Sequence, residues 1–326
     1  MARTLILGGT AWLGREIAAQ LIAQGHQVTC LARGESGAVP SGATFIRADR
    51  RAPDAYDAVK ATDWDEIVEL ACEADLVAGA LAELAERTRH WTLVSSVSVY
   101  ADNSQPGADE DAALVDPTDV DDYAQAKVAA ERATAEVMGD RLLIVRPGLI
   151  AGPGDTSDRF GYWVSRLAMA SHEPVLVPET QGRTVQVIDV RDLAEWIVTS
   201  GTGGLAGTFN AVGSEHRFSA VLHSAARVAG YTGELITADD DWLTARGVDY
   251  WAGPHGLPLW LPRSESAFAR RSRARFVAAG GIERGLEQTL ADVLADERER
   301  GLSRERRSGL SRAQERRLLD EIAALG

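Results

Sequence analysis

Short apolar runs and longer segments of mixed character alternate along the first half of the chain. The short runs predict buried strands, whereas Leu13, Ile17 and Leu21 have the spacing of one helix face. Strands that alternate with helices predict an α/β fold with a doubly wound parallel sheet. The predicted strands are residues 5–7, 27–31, 44–46, 66–70, 91–95 and 141–145, and the predicted helices are residues 13–24, an alanine-rich segment ending near residue 87, and residues 121–138.

The alternation is looser after about residue 150. Residues 240–262 combine glycine and proline with four large aromatic residues, which predicts a loop-rich lobe over a site. The aromatic residues Trp242, Tyr250, Trp251 and Trp260 either pack this lobe or line a substrate pocket, and packing is the commoner case. The other predicted elements are a turn at residues 152–155, a strand at 185–190, a helix at 192–200 and charged amphipathic helices over 286–326.

Composition limits the possible partners. The 326 residues carry a net charge of −14, which argues against nucleic acid because phosphate neutralisation requires a positive surface. The apolar runs are far too short to span a membrane, and the start of the chain lacks the layout of a secretion signal. We therefore expect a cytoplasmic protein that binds neither nucleic acid nor membrane.

Metal binding is not expected either. Cys30 and Cys72 have no metal-type spacing and predict reduced, buried thiols. The six histidines form no close ligand pair, and His255 is expected to pack or lie at the surface rather than touch a substrate. Two arginine clusters, within residues 270–275 and 304–307, predict solvated helix faces.

A glycine-rich turn, residues 7–14 (Leu-Gly-Gly-Thr-Ala-Trp-Leu-Gly), lies between the first predicted strand and the first predicted helix. Gly8 and Gly14 allow a sharp turn and a close approach of a pyrophosphate to the helix N-terminus, although Ala11 stands where a middle glycine is usual. In this position the turn indicates a dinucleotide-binding Rossmann fold. The predicted organisation is a dinucleotide-binding core over residues 1–150, to which residues 185–215 return, and a smaller, mainly substrate-binding lobe over 151–326.

The end of the second predicted strand distinguishes between NAD and NADP. A carboxylate there would bind the ribose 2′-hydroxyl and repel a phosphate, but the chain has Arg33 and no carboxylate at that strand end. This favours NADP over NAD. After the third strand, Asp49 could accept a hydrogen bond from the adenine amino group and Arg50 could stack on the ring, although a surface turn is nearly as good an interpretation.

Lysine is rare in this chain, and its position is informative. Arginine supplies all but two of the 34 basic residues, and one of the two lysines, Lys127, follows Tyr123 by four positions. In a helix these two side chains share a face. A guanidinium is always charged near neutral pH, whereas an ammonium can tune its proton affinity. An ammonium beside a phenol can also lower the pKa of that phenol and bind a cofactor hydroxyl.

Ser96 follows the fifth predicted strand, and we expect it beside Tyr123 because chemistry in such sheets lies at the carboxyl ends of strands. The predicted mechanism is hydride transfer from NADPH to a carbonyl carbon. Tyr123 would donate a proton to the developing alkoxide, Ser96 would bind that oxygen, and Lys127 would bind the nicotinamide ribose and lower the pKa of the phenol.

Together these residues resemble the short-chain dehydrogenase/reductase superfamily, in particular its extended and atypical bacterial members, often called NAD-dependent epimerase/dehydratase or isoflavone-reductase-like. The resemblance spans residues 4 to about 200. It implies catalytic roles for Ser96, Tyr123 and Lys127. It implies dinucleotide binding by Gly8, Thr10, Trp12, Leu13, Gly14 and Arg33. The matching segments are residues 7–14, Ser96 with Tyr100, Tyr123 with Lys127, residues 146–154 and residues 187–194.

Departures from the family pattern bear on the substrate. The Asp-Glu pair that family dehydratases carry beside the serine is replaced by Val97 and Ser98, which argues against dehydration of a nucleotide sugar. Val185 stands where family epimerases commonly have a diphosphate-binding arginine, although Arg183 lies two residues away. With the acidic net charge, this favours a small, uncharged or weakly charged carbonyl or alcohol as substrate.

Two other functions stay open, and both use the same fold. One is a sugar or nucleotide-sugar epimerase that retains its cofactor. The other is a non-catalytic, redox-sensing dinucleotide-binding protein. The family resemblance also implies a homodimer that packs the helix bearing Tyr123, since that helix is rich in small alanine side chains.

Overall fold

The computed structural model describes residues 1–324, and none of the helices in that range has the length and apolar content that crossing a membrane requires. The strands are β1 Arg3–Leu7, β2 Gln27–Ala32, β3 Thr44–Arg47, β4 Trp64–Glu69, β5 Thr88–Val94, β6 Leu142–Val145, β7 Leu149–Ala151, β8 Val175–Pro178, β9 Thr184–Asp189, β10 Gly207–Phe209, β11 Glu215–Arg217, β12 Leu235–Ala238, β13 Asp249–Trp251 and β14 Gly256–Pro258. The helices are α1 Trp12–Ala23, α2 Ala74–Leu84, α3 Tyr123–Met138, α4 Arg159–Ala170, α5 Val190–Thr202, α6 Phe218–Ala229, α7 Asp240–Thr244, α8 Ala274–Ala278, α9 Leu286–Arg300 and α10 Arg312–Ala323.

A seven-stranded parallel sheet in the order β10-β6-β5-β4-β1-β2-β3 is the centre of the described chain, which confirms the predicted doubly wound fold. Successive side chains of a strand point to opposite faces. Leu5 and Leu7 therefore pack into the core that α2 and α3 cover, while Ile6 packs into the core that α1 and α5 cover. Burial on both faces explains why these strands are continuous apolar runs.

The boundaries of two predicted segments matter for the site. The helix predicted over 121–138 begins at Tyr123, because the Asp122 side chain accepts a hydrogen bond from the backbone N–H of Gln125 at 2.9 Å and caps the helix. Cys30 is buried in β2, but Cys72 lies in the loop after β4 and is only half-buried. The expectation that both thiols are buried is therefore wrong for Cys72.

Within residues 185–215, β10 pairs with β6 at the edge of the main sheet, whereas β9 belongs to a three-stranded sheet with β7 and β11. The division of the chain into two domains stays a prediction. The remaining C-terminal part has its own apolar core, in which Trp163 of α4 packs edge-on against Phe218 of α6. Trp260 is fully buried there and its Nε1 donates to Asp240 at 3.1 Å, so this tryptophan packs the lobe.

Several arginines that were expected on solvated faces are engaged within the protein instead, Arg271 by hydrogen bonds to Asp102 and Asn103 and Arg304 by an ion-pair network. Arg271 is 3% exposed, and Arg304 binds Asp158 and Glu297, which are themselves buried. Two buried carboxylates require nearby positive charge, because an isolated charge is costly to remove from water. The expectation of solvated faces is therefore wrong for these residues.

Candidate active site

A cleft follows the carboxyl ends of the central strands, where ligands bind in folds of this type. Its first part is a cavity of about 200 Å³ lined by the turn between β1 and α1 and by residues just past β2 and β3. Its second part, about 480 Å³, is lined by residues after β5, by the start of α3 and by the lobe. Ala11 and Leu70 line both cavities, so the two lie side by side along this edge of the sheet.

The glycines of the β1–α1 turn are required by close packing. Gly8 has φ +101°, a conformation that favours glycine. A Cβ on Gly14 would lie 2.7 Å from the carbonyl oxygen of Gly8, and one on Gly9 would lie 2.5 Å from the Sγ of Cys30. A side chain at either position would therefore displace the backbone that forms the turn.

The start of α1 fits the pyrophosphate of a dinucleotide. Ala11 caps the helix without a side-chain hydrogen bond, and the first turn contains no acidic residue. The N–H groups of Trp12, Leu13 and Gly14 are thus available to an anion, as at other helix N-termini that bind phosphate. Thr10 lines the first cavity, and the Trp12 indole donates to the carbonyl of Pro153 at 2.8 Å, which holds residues 152–154 against the turn.

The residues predicted to bind the adenosine end all line the first cavity. Arg33 is exposed and forms an ion pair with Glu35 at 3.1 Å. A carboxylate therefore does lie in this cavity, three residues beyond the end of β2, although the strand end itself has none. Asp49 is exposed and accepts from the backbone N–H of Arg51 at 3.0 Å.

Arg50 is held more firmly than the sequence suggests. Its guanidinium donates to both oxygens of the fully buried Glu69, at 2.8 and 2.5 Å, and to the Tyr56 hydroxyl at 2.9 Å. These bonds fix the group at the floor of the first cavity. Arg50 therefore has a structural role, and stacking of its guanidinium on an adenine ring stays a prediction.

Ser96, Tyr123 and Lys127 come together in the second cavity. Ser96 follows β5, and its Oγ accepts from the backbone N–H of Ser98 at 3.1 Å, which starts a short 3₁₀ turn. Tyr123 is the first residue of α3 and is 51% exposed, and Lys127 lies one helical turn further on. The Tyr123 phenol is therefore half exposed and lies at the edge of the cleft.

Lys127 is 3% exposed, and two of its three N–H donors are occupied. Its Nζ donates to the carbonyl of Val94 at 2.7 Å and to that of Ala71 at 2.9 Å, at the ends of β5 and β4. Burial lowers the pKa of Lys127 below its ordinary value, while Cys72 and nearby carboxylates act in the opposite direction. One N–H donor is left for a group in the cleft.

The Tyr123 phenol has a pKa above its ordinary value because the protein partly removes it from water. The Ser96 hydroxyl and the positive charge of Arg159 act to lower that pKa. The sequence led us to expect Lys127 to be the residue that lowers it. The cation that lowers the pKa of Tyr123 in this structure is Arg159.

A buried network fixes α3 against the sheet. Arg146, just after β6, donates through Nε and a terminal nitrogen to the two oxygens of Glu131 in α3, at 2.9 and 2.6 Å. It also donates to the hydroxyl of Tyr100 at 3.0 Å. Arg146 and Glu131 are each 4% exposed, so this pair holds the helix that presents Tyr123 and Lys127.

Other residues of the second cavity were not identified from the sequence. They come from the segment after β7 and from the lobe: Asp155, Arg159, Trp251, Phe268 and Arg307. Trp251 was predicted only as one of the four aromatic residues of 240–262. The sequence signal that could have identified Arg159 is a cation at the start of a mainly apolar helix. His255 lies elsewhere, in contact with Gln314 of α10.

The chain belongs to the NAD dependent epimerase/dehydratase family, whose model matches residues 4–211. The match covers the parallel sheet, the glycine turn and the Ser96, Tyr123 and Lys127 positions. The lobe residues that line the second cavity from beyond residue 211 lie outside it. No curated protein matches the chain.

Solved structures with the same fold cover nearly the whole chain. A candidate epimerase from Burkholderia cenocepacia J2315 is 24% identical over 91% of this chain and 98% of its own, with a TM-score of 0.71. RMD from Pseudomonas aeruginosa, complexed with NADPH, is 20% identical over 92% and 100%, with a TM-score of 0.67. WbmH from Bordetella bronchiseptica, in complex with NAD⁺, is 17% identical over 92% and 99%, with a TM-score of 0.67. At these identities the likeness establishes the fold.

Proposed function

We propose that the protein is an NADP-dependent oxidoreductase that interconverts a small carbonyl compound and its alcohol. The observation that carries the proposal is that Ser96, Tyr123 and Lys127 line one cavity, which continues directly into the glycine turn. A proton donor, a hydroxyl and an ammonium are thus gathered beside a cleft that fits a dinucleotide. A bound nicotinamide cofactor supplies the hydride-transfer chemistry.

The residues have distinct tasks in this proposal. Tyr123 donates the proton of its hydroxyl to the substrate oxygen as that oxygen becomes an alkoxide, and Ser96 donates a hydrogen bond to the same oxygen. Lys127 binds a cofactor hydroxyl with its remaining N–H. Its two backbone hydrogen bonds orient it, so little rearrangement is required on binding.

A sugar or nucleotide-sugar epimerase is the second candidate, favoured by family membership and by the epimerases among the structural neighbours. Arg183, the nearest arginine to the family's diphosphate-binding position, is 5% exposed and forms an ion pair with Asp240. It is therefore already engaged within the protein. This arrangement favours the oxidoreductase.

Absorbance at the NADPH band separates the two candidates. Purified protein is incubated with NADPH and a panel of aldehydes, ketones and oxo acids, and separately denatured to release any bound cofactor. Net NADPH oxidation with at least one carbonyl supports the oxidoreductase. Tightly held dinucleotide, with no net oxidation but with interconversion of sugar epimers, contradicts it.

Cofactor preference depends on Arg33 in this proposal. Arg33→Ala is expected to raise KM for NADPH about tenfold and to leave KM for NADH nearly unchanged, because a charge-assisted bond to the 2′-phosphate is lost. Steady-state kinetics with both cofactors measure this. Arg47→Ala, an exposed arginine of β3 outside the cleft, is the matched control. Equal changes in KM for NADPH and for NADH would show that Arg33 does not bind the 2′-phosphate.

A homodimer that packs α3 stays a proposal. Ala126 and Ala130 of that helix are buried within the protein's own core, and Ala133 packs against the same core. Those three small side chains therefore pack within the protein itself. A partner helix would have to pack against Ala124, Ala129 and Ala135.

A further inference from the structure

Arg159 is a partly buried cation that interacts with Asp155 only at longer range than a salt bridge. It is the first residue of α4 and lines the second cavity with Tyr123. Its Nε donates to the Ser157 hydroxyl at 3.2 Å, and no carboxylate of residues 1–324 lies within salt-bridge distance of its guanidinium. Four other arginines of low exposure form ion pairs: Arg50 with Glu69, Arg146 with Glu131, Arg166 with Glu315 and Arg183 with Asp240. Arg271 is buried without an ion pair, but its terminal nitrogens donate to the backbone carbonyl of Asp102 and to the Asn103 side chain.

The surroundings hold this guanidinium in place. The preceding residue, Asp158, is buried in a left-handed conformation with φ +60° and accepts from Arg304 and from the backbone N–H of Arg307. The Trp251 ring lies on the other side, with its centroid 5.2 Å from the guanidinium carbon. A residue with a strained φ that the fold fixes in this way is typical of a functional position.

The second cavity is positively charged, although the whole chain carries a charge of −14. Its cations are Lys127, Arg159 and the exposed Arg307, and its one carboxylate is Asp155. Both oxygens of Asp155 accept from Ser157, at 2.7 and 2.9 Å, and burial raises the pKa of this carboxyl. One carboxylate among three cations leaves the lining of this cavity with a net positive charge. The uncompensated charge is beside the phenol, since Arg159 influences the protonation of Tyr123.

We propose that the substrate carries a carboxylate, which Arg159 binds through its two terminal nitrogens while the reacting carbonyl oxygen faces Tyr123 and Ser96. A guanidinium matches a carboxylate with two parallel hydrogen bonds, and the partial burial of Arg159 strengthens both. The substrate class is therefore an oxo acid and its hydroxy acid. This inference rests on the proposed function, because it names the substrate of that same site, and it replaces the uncharged substrate that the net charge favoured.

Matched pairs of substrates test the inference. Pyruvate, acetoacetate and levulinate place the carbonyl at increasing distance from the carboxylate, and the amide of each acid keeps the carbon skeleton and removes the charge. We expect wild-type protein with NADPH to prefer at least one acid over its amide. In Arg159→Gln, kcat/KM for that acid is expected to fall about 10- to 100-fold, and kcat/KM for the amide to change little.

Two variants separate charge recognition from folding. Arg159→Lys keeps the charge without the bidentate geometry and should recover part of the loss, whereas Arg298→Gln removes an exposed arginine outside the cleft and should behave as wild type. A wild-type preference for the amides overturns the inference. So does an equal loss with acid and amide in Arg159→Gln, because that result identifies a structural role.

Calorimetry distinguishes failure of this inference from failure of the proposed function. If no carbonyl compound is reduced, binding of each acid, each amide and UDP to the cofactor-loaded protein is measured directly. Acid binding that Arg159→Gln abolishes supports a carboxylate site even though the oxidoreductase proposal has failed. Binding of UDP alone, lost in Arg159→Gln, assigns the arginine to a nucleotide diphosphate and overturns the inference.

Discussion

Tyr123→Phe is expected to lower kcat by about two to four orders of magnitude while the affinity for NADPH stays near that of wild type. The substitution removes the proton that the developing alkoxide requires and leaves the ring in place. Because the pKa of Tyr123 lies above its ordinary value, the phenol remains protonated through neutral pH, the form that reduction uses. Oxidation of the alcohol uses the phenolate and should therefore become faster toward alkaline pH.

Turnover at saturating substrate and NADPH fluorescence titration measure the two parts of this prediction. Tyr231→Phe is the control, since it removes a tyrosine hydroxyl that lies outside the cleft, within hydrogen-bond distance of two backbone carbonyls. A Tyr123→Phe protein with wild-type turnover would show that another group donates the proton. A wild-type protein that binds NADPH but reduces no carbonyl, together with a Tyr123→Phe variant of unaltered properties, would favour the non-catalytic, redox-sensing function.

Glu131→Ala is expected to lower the free energy of unfolding by about 3–5 kcal/mol. The substitution leaves Arg146 buried at 4% exposure without the carboxylate that accepts from two of its nitrogens. An uncompensated buried charge accounts for most of the loss, and the vacated side-chain volume adds to it. The midpoint of urea unfolding, at an unchanged slope, measures the effect.

Glu136→Ala is the matched control, because Glu136 is exposed on the same helix and its loss should change stability by less than about 0.5 kcal/mol. The double variant Glu131→Leu with Arg146→Met removes both charges and is expected to be more stable than Glu131→Ala alone. A Glu131→Ala protein with the stability of the control would mean that water or another carboxylate neutralises Arg146. The pair would then not be what fixes α3.

Local patterns predicted six of the seven strands of the main sheet, and the short edge strand β10 was not predicted as a strand. The apolar runs and the helical spacing of Leu13, Ile17 and Leu21 gave strands and helices whose bounds the structure moves by a few residues. The same patterns placed Ser96 after β5, and Tyr123 and Lys127 on one helix, because strand ends and helix faces follow directly from residue order. The structure brings these three residues into one cavity. Their catalytic roles stay predictions.

The sequence by itself therefore determined the parallel fold, the glycine turn and the position of the phenol-amine pair. Only the tertiary structure decided which charges are paired: Arg50 with Glu69, Arg304 with Asp158, which is 146 positions away, and Arg159 with no carboxylate of residues 1–324 at salt-bridge distance. The physical reason is that periodicity and turn chemistry act over a few residues, whereas the partner of a charge is set by how distant segments pack. The whole chain has a net charge of −14, but the electrostatic potential inside a cleft depends mainly on the few charged groups that line it.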